Sequence, residues 1–385
     1  MRQPKGFEDT VHPNYVCHLH KAIYGLKQAP RQWYTTFTTY LIDIRFKYSK
    51  ADPSLLILNR DDIHIFLLVY VDDILLTGND SAVISTLINC LSSRFTMKSL
   101  GPAKDFLGIH IHSGSDEYFL SQTTYANSLL NQANLSNCNA LANPCCTKLP
   151  FDFLPDTNLQ DPHTYRRLTG ALQYLTITRP DIAYAVNVLS QHMHKPDISH
   201  SYLLKRLLRY IKGTASYGLP ISKKNLQLRT FSDADWAGDA TTRKSTSGFC
   251  TFLGDTLVSW TVKKQSTVSR SSTESEYRAL AAATADIIWL KRLLADFNII
   301  HSEPVDVYCD NTSAIALANN PVFHARTKHI EIDHYFIRDH IQHNTIRLLP
   351  ISTVDQLADI LTKPLSTSRF KTLRHKLTIT QNSLV

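Results

Sequence analysis

Long apolar runs, zinc-type cysteine spacings, internal repeats and long low-complexity tracts are all missing from the 385 residues. The most apolar stretch, Ile65 to Val71, is far too short to cross a bilayer and two aspartates follow it at once, so no membrane span is expected. The start, Met1-Arg2-Gln3-Pro4-Lys5-Gly6-Phe7-Glu8-Asp9, is charged and has no apolar core, which argues against export by a signal peptide. The seven cysteines are scattered apart from the adjacent Cys145 and Cys146, and none falls in a Cys-x-x-Cys or Cys/His zinc pattern. A reduced intracellular chain fits this usage, with cytoplasm and nucleus both open.

What is present suffices for sizeable cores. Hydrophobic residues make up 43% of the chain, too many for disorder over most of it, and the length predicts two or three domains. The 41 Lys and Arg against 33 Asp and Glu leave a charge of +8, which favours an anionic partner without saying which.

Periodicity sketches the elements. Trp33, Phe37, Leu41 and Ile44 recur at three or four residues, predicting a half-buried helix within Lys27 to Lys47. Asp62 to Thr77 reads as two apolar strands with Asp72 and Asp73 at the turn between them. Helix-like segments run from Thr164 to His192 and from Ser201 to Lys212, after a loop marked by Pro144, Pro150, Pro155 and Pro162. Farther on, a strand at Leu228 to Ser232 precedes a hairpin, Gly248 to Leu253 and Leu257 to Val262, about a Gly254-Asp255 turn. A helix from Glu274 to Phe297, a strand from Val305 to Cys309 and a helix from Thr312 to Asn319 come next. A His-rich helix near Ile330 to His340, a strand from Ile346 to Leu349 and a last helix from Asp355 complete an order that suits a mixed sheet with helices on its faces.

Paired aspartates on a rigid turn are suitable ligands for hard divalent ions, although Asp also favours turns for purely conformational reasons. Here the surrounding sequence is more specific. Tyr70-Val71-Asp72-Asp73 between apolar strands resembles the catalytic hairpin of reverse transcriptases. Leu19 to Arg31, Leu68 to Gly78, Ser99-Leu100-Gly101, Phe106-Leu107-Gly108-Ile109, Tyr165 to Gly170 and Arg179-Pro180-Asp181-Ile182 resemble successive blocks of copia-type LTR retrotransposon Pol proteins. In that family a further metal-binding aspartate lies before the Gln3 to Phe7 segment, at which this chain begins. The resemblance therefore implies a polymerase remnant, with Asp72 and Asp73 short of one ligand and no independent DNA synthesis.

The same resemblance implies a ribonuclease H after residue 225, whose chemistry needs several carboxylates converging on two metals roughly 4 Å apart. Asp233, in Phe231-Ser232-Asp233-Ala234-Asp235-Trp236, matches the first acid; Asp235 would share its face if the strand continued, and only the family motif ranks Asp233 first. Glu276 matches the second. By local rules it is equally a capping-box partner for Thr273, and the resemblance alone selects it over Glu274. Asp310 matches the third, at a strand-to-helix junction where Asp also serves as an N-cap. The fourth lies in Val354 to Lys363, where the motif favours Asp359 and the spacing leaves Asp355 open.

His324 to His334 resembles another family segment, but a solvated helix with core packing by Ile330, Tyr335 and Ile337 explains it as well, and no histidine is assigned to catalysis. Lys263, Lys264 and Arg270, with Arg243 and Lys244 before them, are candidates for holding phosphates. Trp236 and Trp260 are expected in the core rather than stacked on nucleic acid.

Together these readings imply an α/β and α+β multidomain chain: a partial reverse-transcriptase palm at 1–98, thumb and connection at 99–225, a ribonuclease H-like mixed sheet with flanking helices at 226–365, and a C-terminal tail at 366–385. The implied activity is cleavage of the RNA strand of RNA–DNA hybrids with two Mg2+ ions, for which Mn2+ substitutes, at Asp233, Glu276, Asp310 and Asp359. Other Pol segments are possible partners and no membrane is involved. A catalytically inert nucleic-acid-binding relic is the alternative.

Overall fold

The computed structural model describes residues 1–21, 23, 25–148, 159–320 and 330–382. It divides into two compact units, Met1–Gly101 and Pro102–Val385. Pro150, Pro155 and the segment His324 to His329 lie outside the described residues, as do Ala22 and Tyr24.

In the first unit, α1 (Ala29–Asp43) buries Phe37 and Leu41, with Trp33 and Ile44 packed beside them, as the spacing predicts. Pro30 in its first turn is no obstacle, because the missing N–H would have no helical partner there. The helix covers an antiparallel sheet in the order β1 (Lys47–Tyr48), β2 (Leu55–Arg60), β3 (Ile63–Tyr70), β4 (Asp73–Gly78). After it comes α2 (Ser81–Phe95), capped by the Asp80 carboxylate on the Ala82 and Val83 amides. Tyr70 pairs with Asp73, which leaves Val71 and Asp72 as the turn. Val71 has φ +55°, a costly conformation for a β-branched residue. The Trp33 indole donates to its carbonyl at 2.6 Å and pins the hairpin tip.

The second unit opens on β5 (Asp105–Phe106), β6 (Ile109–Ser113), β7 (Glu117–Ser121) and α3 (Thr123–Gln132). The single helix expected from Thr164 to His192 is two, α4 (Pro162–Leu175) and α5 (Ala183–Gln191). The break falls at Arg179-Pro180: a residue before proline is pushed out of the helical region, and Arg179 sits at φ −131°, ψ 65°. Its guanidinium, buried, forms a forked pair with Asp181, and Tyr210 donates to the same carboxylate at 2.6 Å. That motif thus ties the break to α6 (Ile198–Gly213), on which Tyr210 lies. Next is β8 (Tyr217–Ser222).

The mixed sheet follows as β9 (Leu228–Ala234), β10 (Thr246–Leu253) and β11 (Thr256–Lys264), then α7 (Ser272–Asp296), β12 (Val305–Cys309), α8 (Thr312–Asn319), α9 (Glu331–Gln342) and β13 (Ile346–Pro350). Its spatial order is β11-β10-β9-β12-β13, with β12 parallel to both β9 and β13 and the other pairs antiparallel. Gly254 makes the hairpin turn at φ +59°, where a Cβ would also meet the Asn225 carbonyl at 2.1 Å. The final elements are α10 (Asp359–Thr362), α11 (Thr367–Lys376) and β14 (Thr380–Gln381).

Strand alternation gives this sheet two apolar faces. Leu228, Val305, Val307 and Cys309 pack with Tyr277, Leu280 and Ile287 of α7 and Ile337 of α9. Phe231, Cys250 and Phe252 face the other way, into a core shared with α3 to α6, α10 and α11. Phe370, Leu373, Leu377 and Ile379, in the segment set apart as a tail, are buried there, and β14 pairs with β8 in a second sheet ordered β14-β8-β7-β6-β5. Connection region, mixed sheet and C-terminal elements form one compact unit.

Candidate active site

The parallel register between β9 and β12 matches Phe231 with Tyr308, whose rings stack at 4.9 Å. Two residues farther along each chain are Asp233, still in β9 and on that same face by alternation, and Asp310, just past the end of β12. Sequence reading ends the first strand at Ser232; it runs to Ala234, because Asp233 and Ala234 still pair with Gly248 and Ser247 of β10. Asp233 is consequently a buried strand residue. Gly248, opposite it, has no side chain, and a Cβ there would meet Leu361 and Thr362 at 2.8 Å. That gap lets α10 lie directly on the strands and carry Asp359 to Asp233.

Single oxygens of Asp233, Asp310 and Asp359 all lie within 4.8 Å of one another. Glu276, Cys309 and Asp310 form a second such group, so Asp310 belongs to both. The four acids expected from sequence therefore converge at one end of the sheet.

Each competing local role is filled by a neighbour. The helix α7 starts earlier than sequence suggests, with Ser271 as N-cap accepting from the Glu274 amide. Glu274 reaches back to the Arg270 amide at 2.8 Å and pairs with Arg278 at 2.6 Å. The capping duty assigned to Glu276 belongs to Glu274, which lies two residues earlier and so on nearly the opposite face of α7 from the cluster. Likewise Asn311, not Asp310, caps α8 through the Ala314 amide. Asp235 lies past the strand end and accepts from the Thr246 amide, a contact that closes its loop. Asp355 precedes the helix it was expected to begin; exposed, it bonds Ser352 and Lys376.

Burial first, then the charges of Asp233 and Asp310, push the Glu276 carboxyl up to about 10. Burial raises Asp233 as well, opposed by the Lys363 ammonium. Acids packed this closely out of water cannot all ionise without a cation among them. Every donor except the Cys309 thiol is a carboxylate oxygen, the ligand type that hard divalent ions take. The residues fit such an ion.

Several residues of the site escaped sequence reading. Lys363 Nζ stands 3.0 Å from Asp233 Oδ1 and 2.6 Å from Asp359 Oδ1. Thr362 donates to the other Asp233 oxygen, and Arg369 holds the other Asp359 oxygen. Gln356, fully buried, donates to the Ser232 carbonyl at 3.0 Å and fastens the approach to α10 against β9. The four-residue spacing of Asp359 and Lys363, an ordinary helical ion-pair signal, was the clue available.

The basic candidates divide. Lys263 and Arg270 are exposed, whereas Lys264 is paired with Asp239. Trp236, expected in the core, is 54% exposed with its indole bonded to the Ser269 carbonyl, while Trp260 packs against the shared core. His334 is buried on α9 and stacks on Tyr277 at 6.0 Å, a packing role. Asp72, in the turn, and Asp73, the first residue of β4 rather than part of the turn, are exposed and belong to no group of three close ligands among the described residues. No described helix is long and apolar enough to cross a membrane.

The reverse transcriptase (RNA-dependent DNA polymerase) family matches residues 1–147. A retrovirus-related Pol polyprotein from transposon RE2 of Arabidopsis thaliana is 46% identical over 98% of this chain and 26% of its own length. A putative transposon Ty5-1 protein of Saccharomyces cerevisiae is 30% identical, over 74% of this chain and 94% of that protein. The N-terminal RNase H domain of a Mycobacterium tuberculosis protein, solved as a fusion with maltose-binding protein, superposes with a TM-score of 0.27 at 12% identity, over 39% of this chain and 98% of that one. A superposition that loose has no bearing on function. The chain spans about a quarter of the length of the RE2 polyprotein. With 30% identity over 94% of the Ty5-1 protein and 46% identity along nearly its own whole length, the chain belongs to the retrotransposon Pol family, in keeping with its copia-type resemblance.

Proposed function

We propose that the second unit is a ribonuclease H that hydrolyses the RNA strand of an RNA–DNA hybrid. One observation carries the reading: Asp233, Asp310 and Asp359 bring carboxylate oxygens within 4.8 Å of one another, and Asp310 extends the cluster to Glu276. These four residues would hold two Mg2+ ions, or Mn2+ in their place. Bound there, divalent ions supply Lewis-acid activation for in-line hydrolysis of a phosphodiester.

The chain's own residues do the rest. Asp310 is common to both ligand groups and aligns them. In the metal-free chain Thr362 and Lys363 each hold one Asp233 oxygen, and Arg369 holds Asp359. Lys263 on β11 and Arg270 just before α7, both exposed, would grip backbone phosphates and position the hybrid without reading its sequence. The ribose 2′-hydroxyls would mark the strand to be cut. Other Pol segments are candidate partners, and the interior of the cell is the compartment where such a hybrid would be met.

The test is cleavage of a labelled hybrid with Mg2+ by the whole chain and by Asp310→Asn. Cutting of the RNA strand by the first and not the second supports the reading. Binding without cleavage by both would favour an inert nucleic-acid-binding relic.

A further inference from the structure

The clustered acids already contain a cation. Lys363 Nζ bridges Asp233 Oδ1 and Asp359 Oδ1, two of the three carboxylates that converge within 4.8 Å. Both acids are buried, at 0% and 4% side-chain exposure, whereas the lysine is 35% exposed. The lysine thus reaches the buried acids from the more exposed side of the cluster. Its backbone is held independently, since the Lys363 amide donates to the Asp359 carbonyl at 3.0 Å. Arg369 differs: it takes the other Asp359 oxygen, has no hydrogen bond or ion pair to Asp233 among the described residues, and its guanidinium is also bonded to the Thr353 and Val354 carbonyls.

A divalent ion held by Asp233 and Asp359 would compete with Lys363 for these carboxylates, whose other oxygens already accept from Thr362 and Arg369. Both cations at once would set like charges within a few ångströms in a poorly hydrated site, which is unfavourable.

We propose that Lys363 is a positioning residue, the built-in counter-ion of the Asp233–Asp359 pair, which gives up that place when divalent metal binds, so that loading is an exchange of one cation for another. The inference rests on the metal-site reading above and deepens it. Before loading, Lys363 keeps two buried carboxylates in register. After loading, its ammonium stands at the exposed rim, free to meet a phosphate of the hybrid as a point charge. Metal affinity is thereby set lower than four acids alone would make it.

The whole chain and its Lys363→Met, Lys363→Gln and Lys363→Arg variants are titrated with Mn2+ by calorimetry, and each is melted in chelator. Removing the charge is expected to tighten Mn2+ binding about tenfold and to lower the melting temperature in chelator by several degrees, since an unbridged pair of buried acids is left behind. Lys363→Arg should return both values toward wild type. Lys363→Gln keeps a hydrogen-bonding head, so it decides the matter if Lys363→Met does not fold. Mn2+ affinity of the neutral variants equal to or below wild type overturns the exchange. Absence of Mn2+ binding in every form, wild type included, overturns the metal-site reading and the exchange with it.

Discussion

Gly248 stands directly opposite Asp233 across the β9–β10 pair, and the space where its side chain would be is occupied by Leu361 and Thr362 of α10. The closeness of Asp359 and Lys363 to Asp233 depends on that vacancy in the strand. Gly248→Ala should cost about 1–3 kcal/mol, the usual range for overpacking a filled core. It should also lower hybrid cleavage by pushing α10 off the sheet. Urea unfolding alongside a cleavage assay checks both, and an unchanged midpoint with unchanged cleavage would show that α10 yields freely.

Two glutamates in one helical turn have opposite duties. Glu274 satisfies the Arg270 amide and Arg278, so Glu274→Gln should destabilise the protein by about 0.5–2 kcal/mol while leaving hybrid cleavage largely intact. Glu276→Gln should reduce cleavage on the order of a hundredfold or more, with metal-free stability kept or raised. A reversal of the two phenotypes would return the capping role to Glu276.

In chelator, stability should decline as pH rises. The Glu276 carboxyl, ordinarily near 4.5, is pushed up to about 10 by burial and by its acidic neighbours. Between those limits the native state keeps a proton that the unfolded chain releases, so this contribution is fully present below 4.5 and lost progressively toward 10. Melting temperatures from about pH 5 to about pH 9 should therefore fall for wild type and fall less steeply for Glu276→Gln. Asp233, whose carboxyl is raised in the same direction, contributes to the slope that persists. Parallel slopes for the two proteins would contradict the assignment.

Asp359→Asn and Asp355→Asn separate the two acids that spacing leaves open. The first removes a buried member of the cluster and should abolish cleavage; the second removes an exposed partner of Lys376 and should leave it near wild type. Equal losses would mean that the turn before α10 also shapes the site.

The hairpin aspartates should not support synthesis by themselves. Asp72 and Asp73 have no third close ligand among the described residues, whereas nucleotide addition needs two ions held together. Primer extension on an RNA template with Mg2+ should give no product from the wild-type chain. Extension that Asp72→Asn abolishes would refute this.

Much of the chain was legible without coordinates. The three-and-four spacing of Trp33, Phe37 and Leu41, the apolar strands about Asp72-Asp73, and the Gly254 turn each declare themselves over a few residues, because their patterns arise from helix, strand and turn geometry. Family order singled out four acids. Local rules alone left each in competition with a cap or a turn, since a carboxylate beside a helix start is favourable whether or not it binds anything.

Sequence by itself determined the elements, the lineage and the candidate acids. Tertiary structure decided which acids are free to meet. Ser271 and Asn311 take the caps, Glu274 and Asp235 are used by local backbone, and Asp355 is held by Lys376. What remains converges only because a parallel register, a missing Cβ at Gly248 and a helix some 130 residues beyond Asp233 bring Lys363 and Asp359 to one strand end. Such proximity depends on how distant strands pair and pack, and no local periodicity encodes it.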